Sequence, residues 1–221
     1  MRPIGDVIPS RTTPWVTVVL IAANLVTFGY AAALVPSVDA HAWVHRFTFV
    51  PAEASWTTAA TALLVHENGL HLALNLIVLW VFGDNVEDQL GHARFLALYL
   101  VAGSAGWMAA RWATPASIVP LLGSGGAIAG VLGAYFVMFP RSRVLLLVPA
   151  RGFLDAVELP AVLLAAGWFA LHTLGGLGRF DVPLHDLGPS LWPFAGGAAA
   201  GGLAARVARR PERRRVEWWG T

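Results

Sequence analysis

His71 and Asn75 stand four residues apart inside a long apolar run, so a helix places them on one face. Polar side chains in such a run usually face a bundle interior or a wet cavity. Taken alone, the pair suits hydrogen bonding between helices. His66, five residues upstream, adds a second imidazole. Two histidines without a clear third ligand leave a metal site incomplete. Ser124 brings a hydroxyl into a glycine-rich stretch. A serine becomes a nucleophile only with a base in hydrogen-bond reach. His172, and His185 beside Asp186, are the imidazoles further along the chain that could serve it. The plainer reading of a lone serine beside glycine in an apolar helix is packing or backbone hydrogen bonding.

Residues 121 to 135 must position these groups. Glycine stands at 123, 125, 126, 130 and 133, with apolar residues on both sides. Each glycine inside a helix costs about 1 kcal/mol relative to alanine. A membrane helix tolerates that where backbones approach closely, and Gly126 with Gly130 forms a small-xxx-small pair. The stretch reads as a helix at the centre of a bundle, loosened at its start between Gly123 and Gly126.

Composition agrees. The 221 residues are 57% hydrophobic and 13% charged, with a mean hydropathy of +0.62. Soluble domains carry about 25% charged residues. The chain reads as a polytopic membrane protein. There is no cysteine, which excludes disulfides and thiolate metal sites. All the basic residues are arginine, a sign of a GC-rich genome, and their juxtamembrane positions fit a membrane surface rather than nucleic acid.

Six spans are expected, at about 15–35, 58–82, 94–112, 118–139, 159–174 and 191–207. The first matches the roughly 20 residues that cross a hydrocarbon core; it is long for a signal-peptide core and lacks a convincing cleavage site. Residues 36–56, rich in Trp and charge, read as an interfacial loop. Residues 141–155 and 175–190 read as loops, the latter with turns at Gly175-Gly176 and Gly188-Pro189. Residues 1–14 form an N-terminal tail, 15–208 a six-helix membrane domain and 209–221 an arginine-rich tail. With both termini cytoplasmic, Arg2, Arg11, Arg94, Arg141, Arg143, Arg151, Arg206 and the tail arginines lie inside, while Arg46, Arg111 and Arg179 lie outside. The positive-inside rule favours this orientation. It puts His66, His71 and Ser124 towards the outer face.

Four motifs, in order, resemble the rhomboid intramembrane serine proteases. Gly123-Ser-Gly-Gly126-Ala127-Ile128-Ala-Gly130-Val-Leu-Gly133-Ala134-Tyr135 is similar to that family's fourth helix, Gly-x-Ser-Gly-Ala-Ile-x-Gly-x-x-Gly-Ala-Tyr. His66, His71 and Asn75 resemble its second helix. Gly83, Glu87, Gly91, Arg94 and Phe95 resemble Gly-x-x-x-Glu-x-x-x-Gly-x-x-Arg-Phe. Gly196, Gly197 and Gly201 resemble the sixth helix, Ala-His-x-Gly-Gly-Phe-x-x-Gly. The resemblance implies an all-α six-helix bundle around a short central fourth helix, with a water-filled cavity open outward. It implies that His71 and Asn75 are oxyanion donors, and that Glu87 and Arg94 fix the turn between helices two and three. It also implies that Gly197 and Gly201 face Gly126 and Gly130.

Two positions depart from the pattern. The family nucleophile position is Gly125, with Ser124 one residue early, and a one-residue shift turns a helical position by about 100°. The family base position is Phe194. The Trp-Arg pair that often precedes helix two is Trp56-Thr57 here, with Arg46 a candidate substitute. The expected function is therefore a rhomboid-like protein without proteolytic activity that binds transmembrane segments of clients, in a bacterial plasma membrane. The alternative is a protease using Ser124 with His172 or His185. A channel or transporter has little support. Lipids and transmembrane clients are the expected partners; no nucleic acid, metal or cofactor is implied, and the oligomeric state is left open.

Overall fold

A computed structural model describes residues 5–6, 12–34, 40–150, 153–174 and 188–208. Among them run α1 (Trp15–Leu34), α2 (Ala40–Phe47), α3 (Trp56–Thr61), α4 (Gly69–Leu90), α5 (His92–Ala113), α6 (Gly125–Met138), α7 (Ala161–Leu174) and α8 (Gly188–Ala208). α1, α4 and α5 are long and apolar enough to cross a membrane, while α6 and α7 are shorter apolar helices. α6 is the central element: every residue from Gly125 to Leu132 is buried, as are Ala134 and Tyr135. It packs mainly against α8 and α5, with α4 on another side.

α6 starts later than the expected 118–139 span. Residues before it are held extended. Leu121 and Phe49 exchange backbone hydrogen bonds of 2.8 Å each way, and the Gly123 N–H donates to Ala62 O at 2.8 Å. Gly123 has φ +103°, a conformation that glycine adopts without a side-chain penalty. The chain therefore turns into α6 at the end of a short ladder.

The expected 58–82 span is two helices. Ser55 and Thr58 form a capping box that starts α3. Asn68 caps α4, its side chain accepting from the His71 N–H at 2.8 Å. Between the two, residues 62–68 bend and carry His66. The indole N–H of Trp107 donates to Ala59 O at 2.9 Å, and the Arg111 guanidinium donates to Pro51 O. Trp107 thus ties α3, and Arg111 the turn at Pro51, to α5. Arg46 instead lies over the Phe47 ring, 5.8 Å from its centroid.

Residues 141–155 are not a loop, so the expected all-α class needs amending. β2 (Arg143–Ala150) and β3 (Phe153–Pro160) form an antiparallel hairpin from Arg143↔Pro160 to Ala150↔Phe153. β1 (Gly5–Asp6) pairs with the other edge of β2. The run from Val144 to Val148 is apolar and rich in leucine, too short to cross a membrane, and is used instead as a strand of this hairpin. α8 also begins earlier than expected. Gly188 and Pro189 lie in its first turn, where proline costs no helical hydrogen bond. Gly175-Gly176, His185, Asp186 and the tail beyond 208 lie outside the described residues.

Glu87 is fully buried, yet its carboxylate is filled. It accepts from the N–H groups of Val16 (2.9 Å) and Thr17 (2.8 Å) and from the Thr17 hydroxyl (2.7 Å). His92 Nδ1 donates to it at 2.5 Å. A carboxylate at the first turn of α1 satisfies orphan N–H groups and opposes the positive end of the helix dipole. Glu87 therefore fastens α1 to α4. Arg94, expected with Glu87 at the turn between these two helices, lies exposed in the first turn of α5 beside that turn, and the described partners of the carboxylate are α1 and His92.

Candidate functional site

Glycines on α8 let it sink between α5 and α6. A Cβ at Gly197 would collide with Gly126 O, and one at Gly201 would collide with Gly130 O. On the α5 side, a Cβ at Gly196 would lie 2.7 Å from Ala105 O. Backbone contact at this range leaves no room for a methyl group, so glycine at these positions sets the depth of α8.

That depth determines what lies at the start of α6. A Cβ at Gly125 would lie 2.7 Å from Phe194 Cε1 and 3.1 Å from Cζ. Positions 125 and 194 thus face each other in direct contact, and a phenyl ring fills the space between them. Phe194 is 9% exposed. Its ring meets Trp168, Phe169 and His172 edge-on, at centroid distances of 5.4, 5.6 and 5.6 Å. Such T-shaped contacts are the favoured aromatic geometry. The aromatic face of α7 is therefore held on α8 by the Phe194 ring.

Beside the ring lies a polar chain. The Trp168 indole N–H donates to Asn75 Oδ1 at 3.2 Å. That fixes the Asn75 amide, whose Nδ2 donates to His66 Nε2 at 3.1 Å. His66 Nε2 is then the bare lone pair, and its Nδ1–H donates to Leu64 O at 3.3 Å. The Ser124 hydroxyl reaches the same Nε2 at 3.3 Å. Ser124 is the N-cap residue of α6, but its side chain makes no capping bond; it is turned onto His66. His71 lies between His66 and His172, with ring centroids 5.0 and 5.1 Å away, and its imidazole covers Gly123. A Cβ at Gly123 would lie 2.7 Å from both Cε1 and Nε2 of His71.

The sequence-expected residues thus converge: Gly123, Ser124, Gly125, His71, Asn75, His172 and Phe194 line one region at the start of α6. The partner of Ser124 differs from the two expected. It bonds His66, whereas His172 Nδ1 donates to its own helix at Trp168 O, 3.1 Å away. His185 lies outside the described residues. Trp168 is the member that the sequence did not point to, and His66 was singled out but not as the partner of Ser124. For His66 a signal existed in its place at the head of the His-x4-His-x3-Asn run. For Trp168, a tryptophan in an apolar helix gives no such sign.

The arrangement supplies neutral hydrogen-bonding groups next to a helix N-terminus, which suits binding a polar group in an apolar site. At the two facing positions, 125 and 194, it supplies no hydroxyl and no imidazole.

Comparison with known proteins bears on the fold and the site together. The rhomboid domain family model matches residues 53–211. Rhomboid protein 1, mitochondrial, of Saccharomyces cerevisiae is 32% identical over 157 residues, covering 69% of this chain and 43% of that protein. The presenilin-associated rhomboid-like protein, mitochondrial, of Homo sapiens is 30% identical over 180 residues, covering 78% and 45%. Rhomboid protease GluP of Bacillus subtilis is 36% identical over 96 residues, covering 43% and 18%. The chain spans less than half the length of each of these relatives. The matched region runs from the turn before α3 through α8 and takes in the whole polar chain and the Phe194 cage, and the chain belongs to the rhomboid family of integral membrane proteins.

Proposed function

We propose that this protein binds transmembrane segments of client proteins and does not cut them. The observation behind this is the contact between Gly125 and Phe194. In the proteases that the motifs resemble, those two positions hold the nucleophile and the base, and here neither side chain has a group that can transfer a proton. The retained glycine faces and the His71–Asn75 pair leave a frame able to hold a polypeptide. The test combines a fluorophosphonate serine probe with photo-crosslinking from residues on α4 and α7. Crosslinks to transmembrane segments without probe labelling are expected. Labelling of a serine, with cleavage of the crosslinked client, would reverse the reading.

One observation favours the alternative, a protease with displaced residues: the Ser124 hydroxyl lies 3.3 Å from the lone pair of His66. That is the nucleophile–base geometry of a serine hydrolase, with Leu64 O orienting the imidazole. Against it, Ser124 is fully buried, and the Asn75 amide shares the same lone pair. Probe labelling that disappears in Ser124→Ala would establish the alternative.

Six spans with both termini cytoplasmic complete the proposal, supported by the arginine distribution. A cysteine introduced at 186 should react with an impermeant thiol reagent added outside cells, and one at 212 should not; the chain has no cysteine of its own to interfere. The reverse labelling would overturn the orientation. A bacterial plasma membrane is the proposed location; of the relatives named above, two are mitochondrial and one is from Bacillus subtilis.

A further inference from the structure

His66 and His172 are built alike and end differently. Each directs Nδ1–H to a backbone carbonyl, His66 to Leu64 O at 3.3 Å and His172 to Trp168 O at 3.1 Å. In each neutral ring this leaves Nε2 as a bare acceptor. His66 Nε2 is filled twice, by Asn75 and Ser124. His172 Nε2 is buried and has no hydrogen-bond partner among the described residues. An unmet acceptor in an apolar site costs about 1 to 3 kcal/mol. Native structures rarely keep one without a use.

Among the described residues, no side chain or backbone group donates to His172 Nε2. Its ring is walled by Trp168 at 4.7 Å, His71 at 5.1 Å and Phe194 at 5.6 Å between centroids. The Trp168 N–H, the nearest strong donor on the same helix, is committed to Asn75. The ring is also held in place, since three aromatic neighbours and the bond to Trp168 O restrain its rotation.

We propose that His172 Nε2 is a recognition acceptor, which binds a hydrogen-bond donor carried on the membrane segment of a client. This rests on the client-binding reading above and names the atom that would select among clients. Two kinds of donor that an apolar segment can carry are compared. One is a side-chain hydroxyl of Ser or Thr; the other is a backbone N–H freed where a helix is broken, because an intact helix satisfies its own N–H groups. A continuous leucine helix offers neither.

The test uses the full-length protein in nanodiscs and three fluorescent peptides: a continuous Leu/Ala segment, the same segment with one central Ser, and the same segment with a central Gly-Pro break. Wild type should bind at least one donor-bearing peptide about 10-fold more tightly than the continuous one, the value of one added hydrogen bond. The Ser and Gly-Pro peptides separate the two sources. His172→Phe keeps the ring and removes the acceptor, so it should erase the preference. His172→Gln, which can present a carbonyl oxygen, should restore part of it. A preference that survives in folded His172→Phe would overturn the proposal, as would equal binding of all three peptides by wild type. Failure of every peptide to bind would sink the client-binding reading itself.

Discussion

Returning both missing groups, Gly125→Ser together with Phe194→His, is expected to turn this protein into a slow serine hydrolase. The reason is positional. The Cβ at 125 would point at the ring of residue 194 from 2.7 Å, so a serine hydroxyl and an imidazole would meet there. The single variants should behave very differently. Gly125→Ser alone drives its Cβ into the Phe194 ring, which Trp168, Phe169 and His172 hold on the other side. Overpacking of this kind costs about 1 to 3 kcal/mol. Phe194→His alone gives a base without a nucleophile. Each should show only background hydrolysis, because members of a catalytic unit act together. The double variant should exceed either by about 10²-fold or more, the usual contribution of a positioned base. It should also recover the stability that Gly125→Ser loses, since His is smaller than Phe. Probe labelling at the new serine, peptide cleavage and thermal unfolding would be measured together. A folded double variant that neither labels nor cleaves would mean that the contact does not place the groups for proton transfer.

The same contact explains why the two departures occur as a pair. A phenyl ring at 194 fits because position 125 has no side chain, and position 125 tolerates no side chain because the ring is there. The sequence showed both substitutions but not their mutual dependence, which is a fact of packing between α6 and α8. Much else was legible, for reasons that can be named. Helices with strong periodicity or long apolar runs, such as α1, α5 and α7, fell within two residues of their expected bounds. The small faces at Gly126/Gly130 and Gly197/Gly201 were legible because close backbone approach has few other solutions.

What was not legible depends on local chemistry within an apolar stretch. Ser55 and Asn68 divide what reads as one span, because an N-cap side chain can start a helix even in membrane-like sequence. The hairpin of β2 and β3 lacks the polar alternation that marks a half-exposed strand, so its run of leucine and valine reads as a failed span. Glu87 was recognised as structural, but its partners lie on α1, some seventy residues away in sequence. A carboxylate's distant ligands are not written in its own neighbourhood. The displacement of Ser124 onto His66 is of the same kind: both residues were visible, and only the fold brings a residue after α3 beneath the start of α6.

Gly201→Ala and Gly202→Ala should separate by about 3 kcal/mol or more, although the two positions are adjacent on one helix. Both changes remove a glycine from the interior of α8, and each gains about 1 kcal/mol in helix propensity. They differ in what the new methyl group meets. At 202 the nearest atom is Gly133 O at 3.6 Å, an ordinary van der Waals contact. At 201 the methyl lands on Gly130 O, well inside contact distance, and Gly130 stands so close to Ala102 that a Cβ there would itself collide. A backbone carbonyl inside a buried helix cannot step aside as a flexible side-chain end can. Gly201→Ala must therefore push α8 away from α6. Gly202→Ala should unfold at or slightly above the wild-type temperature in detergent, and Gly201→Ala well below it. The displacement should also reach the site, because Phe194 lies two turns earlier on the same rigid helix and owes its place over Gly125 to the depth of α8. A second readout follows: solvent accessibility at residue 194, measured by labelling of Phe194→Cys, should rise when combined with Gly201→Ala and stay low with Gly202→Ala. Equal stability and equal labelling in the two backgrounds would show that α6 and α8 do not touch through these glycines, and the geometry of the site would fall with that contact.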